Sequence, residues 1–370
     1  MATPASTHEN TPGSATTSAR ERLRSFGRAP RIVGLDIARG LAVLGMAAAH
    51  TVSLPGEIRW SDPATWVEIV AGRSSILFAV LAGVSIALMT GRSRIPSGHE
   101  LATHRLRLVA RGLVIFAIGL VLELLGTNIA VILTFYGAVY AIGILFIGMR
   151  VYALVVWSAA IAVAGPALAA ALLALSPSSS GAGISFVLGG AYSIVAWTAL
   201  MLAGLALGRL DVTRTKISAL ALVAGIVLSG VGYTAGSVWE AGNASAASSA
   251  TVLTAFFSSG PHTGGTMEIL GSGGLAIALI ALLVLTGERL RYALLPLAAV
   301  GSMPLSAYTA HVVAIWIIGP GGWWLYPSLA LGLLVLCSAW AILSGRGPLE
   351  RLTAQAAVRL ATPEQRAPTA

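Results

Sequence analysis

An arginine and a histidine, Arg39 and His50, lie in one apolar stretch of the sequence with ten residues between them. A charge and an imidazole inside an apolar segment are costly, so such residues suggest a functional site. In an α-helix this spacing turns the chain by about 1,100°, which brings both side chains to nearly the same face, roughly 16 Å apart along the axis. Arginine suits multi-oxygen anions and histidine suits proton transfer or covalent catalysis. The pair therefore predicts an anion site and a reaction centre on one helix.

The surrounding sequence indicates a protein that lies mostly in a membrane. Of its 370 residues 56% are hydrophobic and 10% are charged, and the mean hydropathy is +0.84. No soluble domain needs so much apolar surface, so we expect an all-α polytopic membrane protein. Apolar segments of about 20 residues, each able to cross about 30 Å of hydrocarbon, predict a bundle of about ten transmembrane helices. They lie at 33–54, 64–90, 106–126, 129–148, 151–175, 185–208, 214–238, 266–287, 292–318 and 323–344.

Polar segments flank this bundle. We predict a disordered cytoplasmic tail over 1–30, a transmembrane domain over 31–345, and a cytoplasmic tail over 346–370 that contains a short amphipathic stretch. Basic residues collect on the cytoplasmic side of membrane proteins. With the N-terminus inside, 19 of the 23 Lys and Arg residues lie in cytoplasmic segments and one, Arg59, lies in an outer loop. Both termini are therefore expected in the cytoplasm of a plasma-membrane protein.

Composition and motifs also exclude several kinds of function. The net charge of +9 follows from this topology, and no basic patch with interleaved aromatic residues predicts a nucleic-acid partner. The single cysteine, Cys337, excludes a disulfide within the chain. No spacing of histidines, cysteines and acids predicts a metal, and there is neither a phosphate-binding glycine loop nor a serine-nucleophile motif.

The topology sorts the embedded polar residues into two layers. Gathered in one wet cavity, such groups can pair, and their cost in the membrane falls. The inner layer holds Asp36, Arg39 and Arg111, with Arg73 near mid-depth; the outer layer holds His50, Asp62, Glu68, Glu123, Asn128, His262, Glu268 and His311.

Structural explanations compete with functional ones in the inner layer. Asp36 and Arg39, three residues apart, could form an ion pair instead of binding an anion. Arg111 could snorkel to the inner surface. Arg73 is too deep to snorkel comfortably, which favours a bound anion or a buried partner.

The outer layer has its own alternatives. His311 could be a packing histidine, and Glu68 and Glu123 could lie at helix ends near water. Glu268, in the first turn of a helix, has a helix-dipole explanation as well as a site role. His50 lies deeper than an interfacial residue, which favours function.

Several motifs together resemble a known family. Residues 34–42 (GLDIARGLA) look like the opening motif of bacterial membrane proteins related to the heparan-α-glucosaminide N-acetyltransferases. Residues 71–85 are similar to the second-helix signature of that group and of its YeiB-like relatives, and residues 133–137, 261–273 and 301–311 match later spans. The resemblance covers about residues 31–345, essentially the whole membrane domain.

This resemblance implies a transmembrane acyltransferase of a bacterial cell envelope. An acyl group, usually acetyl, would come from cytoplasmic acyl-CoA and pass to a glycan or amino sugar across the membrane. Related polysaccharide O-acetylases also carry an arginine and a histidine ten residues apart in their first span, which Arg39 and His50 match. The lysosomal enzymes have their catalytic histidine in the loop before the second helix. Residues 60–66 here have tryptophans but no histidine, so His50 becomes the substitute candidate.

The leading hypothesis therefore assigns roles by layer. His50 would be a general base or an acyl-carrying nucleophile, and Glu68 or Glu268 would orient its imidazole. The donor, acetyl-CoA, would be bound without a metal, the acceptor would be a cell-envelope glycan, and the oligomeric state stays open, with a homo-oligomer among the alternatives. The donor-binding candidates are Asp36, Arg39, Arg73 and Arg111, and the acceptor-side candidates are Asp62, Glu123, Asn128, His262, Tyr308 and His311.

A second hypothesis uses the same cavity differently. A transporter or exporter of a small anionic or glycan-linked molecule would use His50 and the glutamates for proton coupling. The absence of internal repeats and of paired broken helices in the sequence argues against it. A non-catalytic scaffold is the least favoured of the three hypotheses, because it does not explain the embedded arginines.

Overall fold

A computed structural model describes residues 19–52, 58–175, 193–243, 252–319, 321 and 324–361. Within these ranges the chain is helical, without a strand, as the composition predicts. A 3-10 helix spans Pro63–Ile69. The α-helices are α1 (Ala19–Ser25), α2 (Val33–Thr51), α3 (Arg73–Met89), α4 (Gly98–Glu123), α5 (Leu133–Gly143), α6 (Val151–Leu175), α7 (Ile194–Arg209), α8 (Thr215–Gly242), α9 (Val252–Phe257), α10 (Thr266–Leu290), α11 (Leu295–Ser302), α12 (Pro304–Ile318), α13 (Leu325–Leu343) and α14 (Pro348–Ala361).

Six helical segments in the described ranges are long and apolar enough to cross a membrane. A seventh span results if α11 and α12 count as one. Helices α5 and α7 are shorter, and the last 18 residues of α4 contain Arg107, Arg111 and Glu123. An all-helical protein with several membrane-length helices is therefore confirmed, while ten spans and the orientation of the termini stay predictions. The six segments are Val33–Thr51, Thr65–Met89, Val151–Leu175, Thr215–Gly242, Thr266–Leu290 and Leu325–Leu343.

Helix α2, which carries Arg39 and His50, is buried at the centre of the bundle. It packs against α3, α10 and α11. Glycines permit these close approaches: a side chain on Gly34 would meet the backbone of α10, and one on Gly301 of α11 would meet the carbonyl of Asp36. Small residues at crossings let helices pack backbone to backbone in membranes. The central position of α2 keeps its polar side chains away from lipid.

Two breaks interrupt the predicted spans. Helices α11 and α12 meet at an angle of 91°, because Pro304 offers no N–H to the preceding turn. The expectation of one continuous span over 292–318 is therefore wrong, while this single bent pair does not contradict the inferred absence of paired broken helices. A second break at Gly72, whose φ is 67°, separates the 3-10 helix from α3. That turn lies against Pro261, in the segment before α10.

The bundle has two ends, joined by α3. Gly72, at the start of α3, lies beside residues 258–265, and we name this end the loop face. Met89, at the end of α3, shares a cavity with α14, and we name that end the α14 face. Helix α14 is the amphipathic stretch predicted within 346–370, and α1 lies within the predicted tail 1–30. The predictions for residues 1–18 and 362–370 lie outside the described residues.

Helix α14 caps the broken helix. The Glu350 carboxylate accepts the backbone N–H of Leu305 (2.8 Å) and of Ser306 (3.1 Å), and the Ser306 hydroxyl (2.5 Å). The first N–H groups of a helix have no partner of their own, and a carboxylate there also interacts favourably with the helix dipole. A side chain from a distant helix therefore holds the start of α12.

Replacing Glu350 with glutamine removes the charge and one acceptor from this cap. We expect the free energy of unfolding to fall by about 1–2 kcal/mol, the range for a lost helix cap. SDS titration of the protein in mixed micelles measures it. Glu240→Gln is the matched control, because Glu240 also accepts two hydrogen bonds, both at 3.2 Å, but at an exposed site. Equal losses in the two variants would contradict the capping role.

Candidate active site

His50 and His311 meet near the loop face of the bundle. Nδ1 of His50 lies 3.1 Å from Nε2 of His311. His311 is completely buried, and His50 is partly buried. The Tyr308 ring packs edge-on against His311, and its hydroxyl accepts the backbone N–H of Ile132 at 3.2 Å. Three residues that the sequence analysis placed on the outer side are thereby brought into one cluster.

The Glu268 carboxylate binds the loop before α10 and does not orient His50. Its carboxylate accepts the backbone N–H groups of His262 (2.8 Å) and Gly264 (2.7 Å) and the Thr263 hydroxyl (3.1 Å). Since Glu268 is in the first turn of α10, these bonds fold the preceding loop onto its own helix. The side chain is buried, which strengthens the hydrogen bonds. These bonds bind the loop before α10 and not the free N–H groups at the start of that helix, and His311 takes the position beside His50 proposed for a glutamate.

His262 brings a third imidazole to this neighbourhood. It is exposed and has a φ of 62°, a left-handed conformation that costs about 1 kcal/mol for a non-glycine residue. Its backbone lies beside Gly72, at the turn before α3. With Glu268, Ser75 and Trp197 it lines a cavity of about 20 Å³, enough for one water molecule.

Asp36 and Arg39, of the predicted inner layer, form an ion-pair cluster with Arg31. Arg39 donates to the Asp36 carboxylate at 2.8 Å and to the Ser85 hydroxyl at 2.9 Å, and Arg31 donates to the second Asp36 oxygen at 3.0 Å. Asp36 is buried, and the Arg39 side chain is 16% exposed. This geometry favours the ion-pair explanation over anion binding for both residues.

Arg73 is held at the loop face. Its Nε donates to the Tyr233 hydroxyl and its Nη1 to the Glu68 carbonyl, both at 2.7 Å. The Tyr233 hydroxyl in turn lies 2.7 Å from that of Ser272. These bonds join the break before α3 to α8 and α10. Arg73 therefore lies with the loop-face residues rather than with Arg111, and the buried Glu68 contributes its backbone carbonyl.

Arg111 lines a basic cavity of about 300 Å³ at the α14 face. His104 and Arg107 share it, with apolar and small residues of α3, α4 and α14. Among the described residues the hydrogen bond of Arg111 goes to the sulfur of Met89, a weak acceptor. The sequence analysis missed His104 and Arg107, although their three- and four-residue spacing places them on one side of α4 with Arg111.

A second, smaller cavity of about 100 Å³ is also lined by Arg111, and we name it the slot. Its walls are mainly apolar and aromatic, and they include Tyr308, the ring that packs on His311. Arg111 therefore lines both the basic cavity and the slot, and Tyr308 lines the slot and contacts His311. The slot is lined by Phe78, Arg111, Ile115, Leu133, Tyr136, Tyr140, Pro304, Leu305, Tyr308, Glu350 and Thr353.

The remaining outer-layer candidates lie at the periphery. Asp62 pairs with Arg59 at 2.8 Å and is 41% exposed. The Glu123 carboxylate accepts the Thr134 hydroxyl at 2.9 Å, which ties the end of α4 to the start of α5. Asn128 is exposed in the turn between these helices. In the part of the chain that the structure describes, no group of three histidines, cysteines or acids could hold a metal ion.

The fold and this site define a class: a helical membrane protein in which Arg111 lines both a basic cavity and a slot, and Tyr308 lines that slot beside a histidine pair. The chain belongs to the heparan-alpha-glucosaminide N-acetyltransferase family, whose catalytic-domain model matches residues 31–234, more than half of the sequence. This confirms the resemblance of the opening motifs. No curated protein and no solved structure matches the chain. The matched region contains His50 and the basic-cavity residues of α3 and α4, while the α14 wall of that cavity, Tyr308 and His311 lie beyond it.

Proposed function

We propose that this protein transfers an acetyl group from acetyl-CoA, bound at the α14 face, to an amino sugar or glycan that approaches from the loop face. The observation that supports this most is the position of Arg111, which lines both the basic cavity and the slot. The family is one of acetyltransferases that use acetyl-CoA, so the donor fits the match.

The two cavities suit the two chemically different parts of the donor. Phosphate groups would be bound by His104, Arg107 and Arg111, since arginine forks match phosphate oxygens. The uncharged pantetheine arm would lie in the apolar and aromatic slot, with its thioester towards Tyr308.

His50 is then the general base of the reaction. The acceptor amine or hydroxyl attacks the thioester carbonyl while its proton moves to His50, and the carbon–sulfur bond breaks as the tetrahedral intermediate collapses. The CoA thiolate leaves and takes the proton from His50, so the imidazole ends neutral. Proton transfer by a positioned base contributes about 10²–10⁴-fold to such reactions.

Other candidate residues take supporting roles in this proposal. Asp36 and Arg39 hold the α14-side half of α2, and Arg73 holds the turn before α3. The acceptor would contact the loop-face residues, His262 among them. The basic residues support an α14 face in the cytoplasm of a bacterial cell and a loop face towards the envelope.

Titration of the purified protein with acetyl-CoA tests the proposal. A ligand at 100 times its dissociation constant stabilises a protein by about 2.7 kcal/mol, so the melting temperature should rise with concentration. No stabilisation at millimolar acetyl-CoA would contradict the proposal.

Arg111→Gln should weaken this binding by about 10- to 100-fold, because a charged hydrogen bond to phosphate contributes about 1.5–3 kcal/mol. The titration above, repeated on the variant, measures the loss. Arg105→Gln is the matched control, since Arg105 is an exposed arginine of α4 that does not line the cavity. Equal weakening by both variants would leave only general electrostatic attraction and would remove Arg111 from the donor site.

The transport alternative gains one observation, the 91° break between α11 and α12, at the end of α12 that Glu350 caps. Broken helices line substrate sites in many transporters. Proteoliposomes loaded with glucosamine and supplied with external acetyl-CoA separate the two functions. An acetyltransferase forms N-acetylglucosamine inside the vesicle, whereas a transporter of an anionic or glycan-linked molecule leaves the glucosamine unacetylated.

A further inference from the structure

The contact between His50 and His311 has the geometry of a hydrogen bond within one plane. The two rings are inclined by only 19°, their centroids are 5.3 Å apart, and the facing nitrogens are 3.1 Å apart. Two coplanar imidazoles in nitrogen-to-nitrogen contact have this separation between their centroids. Face-to-face stacking would bring the two centroids closer together than this. One of the two nitrogens must therefore carry the shared proton, because two lone pairs at this distance repel.

The surroundings of the other ring nitrogen of His311, Nδ1, indicate which of the two facing nitrogens carries the shared proton. Nδ1 of His311 is fully buried and has no hydrogen-bond partner among the described residues. A helical side chain lies over the preceding turn, so the polar groups of α12 nearest to this ring are the backbone carbonyls of Ala307 and Tyr308, which can only accept. A lone pair on Nδ1 would face carbonyl lone pairs in a buried site, so the proton belongs on Nδ1.

The tautomers of both rings follow. A neutral His311 with its proton on Nδ1 presents a lone pair at Nε2, towards His50. The shared proton is then on Nδ1 of His50, and Nε2 of His50 carries a lone pair. Among the described residues, Nε2 of His50 makes no hydrogen bond.

We infer that His311 is a positioning residue that holds His50 in the tautomer whose Nε2 can accept a proton. This inference rests on the proposed function for its role in catalysis. During transfer the acceptor's proton arrives at Nε2 of His50, and the resulting imidazolium keeps its Nδ1–H bond to the lone pair of His311. The proton then leaves from Nε2 to the CoA thiolate, and His311 stays neutral throughout.

The surroundings of His311 keep its ring fixed. Tyr308 packs against the ring at an interplanar angle of 90°, and the Tyr308 hydroxyl is bonded to Ile132. The start of α12 is held by Glu350 of α14, as described above. A rigid, fully buried imidazole can impose its orientation on a neighbour that is only partly buried.

Nitrogen-15 NMR of the protein, labelled at its histidines and held in lipid nanodiscs, tests the tautomer directly. The His50 signals are assigned by their loss in His50→Asn. We expect a protonated Nδ1 and an unprotonated Nε2 on His50 in the wild type at neutral pH. The opposite tautomer would overturn the inference, whether or not the protein is active. The expected tautomer in a protein that neither binds nor consumes acetyl-CoA would support the geometry and reject the proposed function.

Two variants of nearly equal shape supply the kinetic test. The carbonyl of a glutamine can accept the Nδ1–H of His50, whereas methionine offers only a weak sulfur acceptor. His311→Met should lower kcat for acetyl transfer to glucosamine by about 10- to 100-fold, as expected when a partner that orients a reactive imidazole is lost, with little change in KM for acetyl-CoA. His311→Gln should recover part of that loss. Equal kcat in both variants, at equal thermal stability, would overturn the positioning role; if either fails to fold, the wild-type spectrum decides.

Discussion

Replacing His50 with alanine is expected to lower kcat for acetyl transfer by about 10²–10⁴-fold, the contribution of a positioned general base. KM for acetyl-CoA should stay nearly constant, because His50 lines neither the basic cavity nor the slot. A loss confined to kcat is the sign of an interaction made in the transition state alone. Release of CoA thiol, with glucosamine as acceptor and the protein in proteoliposomes, measures both constants.

His99→Ala is the control for this substitution. His99 is an exposed histidine in the first turn of α4, outside both cavities, so its loss should leave kcat and KM unchanged. Binding of acetyl-CoA to the His50→Ala protein should persist, which separates a chemical defect from misfolding. Full turnover in His50→Ala would remove this imidazole from the reaction.

The helical elements were largely predictable because a membrane constrains them so strongly. A segment of about 20 apolar residues has few stable alternatives to a helix in lipid, and every predicted segment contains a helix in the part of the chain that the structure describes. Within the predicted segment 129–148, however, the helix covers only Leu133–Gly143. The two breaks were harder to predict. Pro304 and Gly72 each occur in apolar sequence, and many membrane helices contain proline or glycine without a sharp bend. Whether such a residue breaks a helix depends on the neighbours that bind the freed backbone groups.

The candidate site was predictable in composition but not in pairing. Topology placed His50 and His311 in the same layer, and the structure joins them. The sequence did not predict that Glu268 would accept hydrogen bonds from its own loop, or that Arg39 would pair with Asp36. A single sequence does not tell which residues each helix face contacts. The basic cavity depends on α14 packing over α4, a long-range contact with no local signal.

The contacts of Arg209 were also not predictable from the sequence. We expect a large loss of stability when this residue is replaced. By its sequence it is one more cytoplasmic arginine, but the structure buries it to 3% exposure. Its guanidinium binds the loop after α3 and the turn after α5. It donates to the carbonyls of Thr90 (3.0 Å), Arg92 (2.6 Å), Arg94 (2.9 Å) and Ile147 (2.9 Å), and to the Thr90 hydroxyl (2.9 Å).

Arg209→Met should lower the free energy of unfolding by about 3–5 kcal/mol. Hydrogen bonds to a charged group contribute about 1.5–3 kcal/mol each, and methionine leaves several buried carbonyls without a donor, although water can replace part of the loss. The loop holds Arg92 at a φ of 56°, a left-handed conformation that is costly for a residue with a side chain and needs such support. SDS-induced unfolding in mixed micelles measures the change.

Arg214→Met is the matched control five residues later. The Arg214 side chain is 75% exposed and lies 3.5 Å from Asp211, so its loss should cost no more than about 0.5 kcal/mol. Because Thr90 also lines the basic cavity, Arg209→Met should weaken acetyl-CoA binding as well, while Arg214→Met should not. An Arg209→Met protein as stable as Arg214→Met would mean that water satisfies the loop as well as the guanidinium does. Reduced stability with unchanged acetyl-CoA binding would instead separate this loop from the donor site.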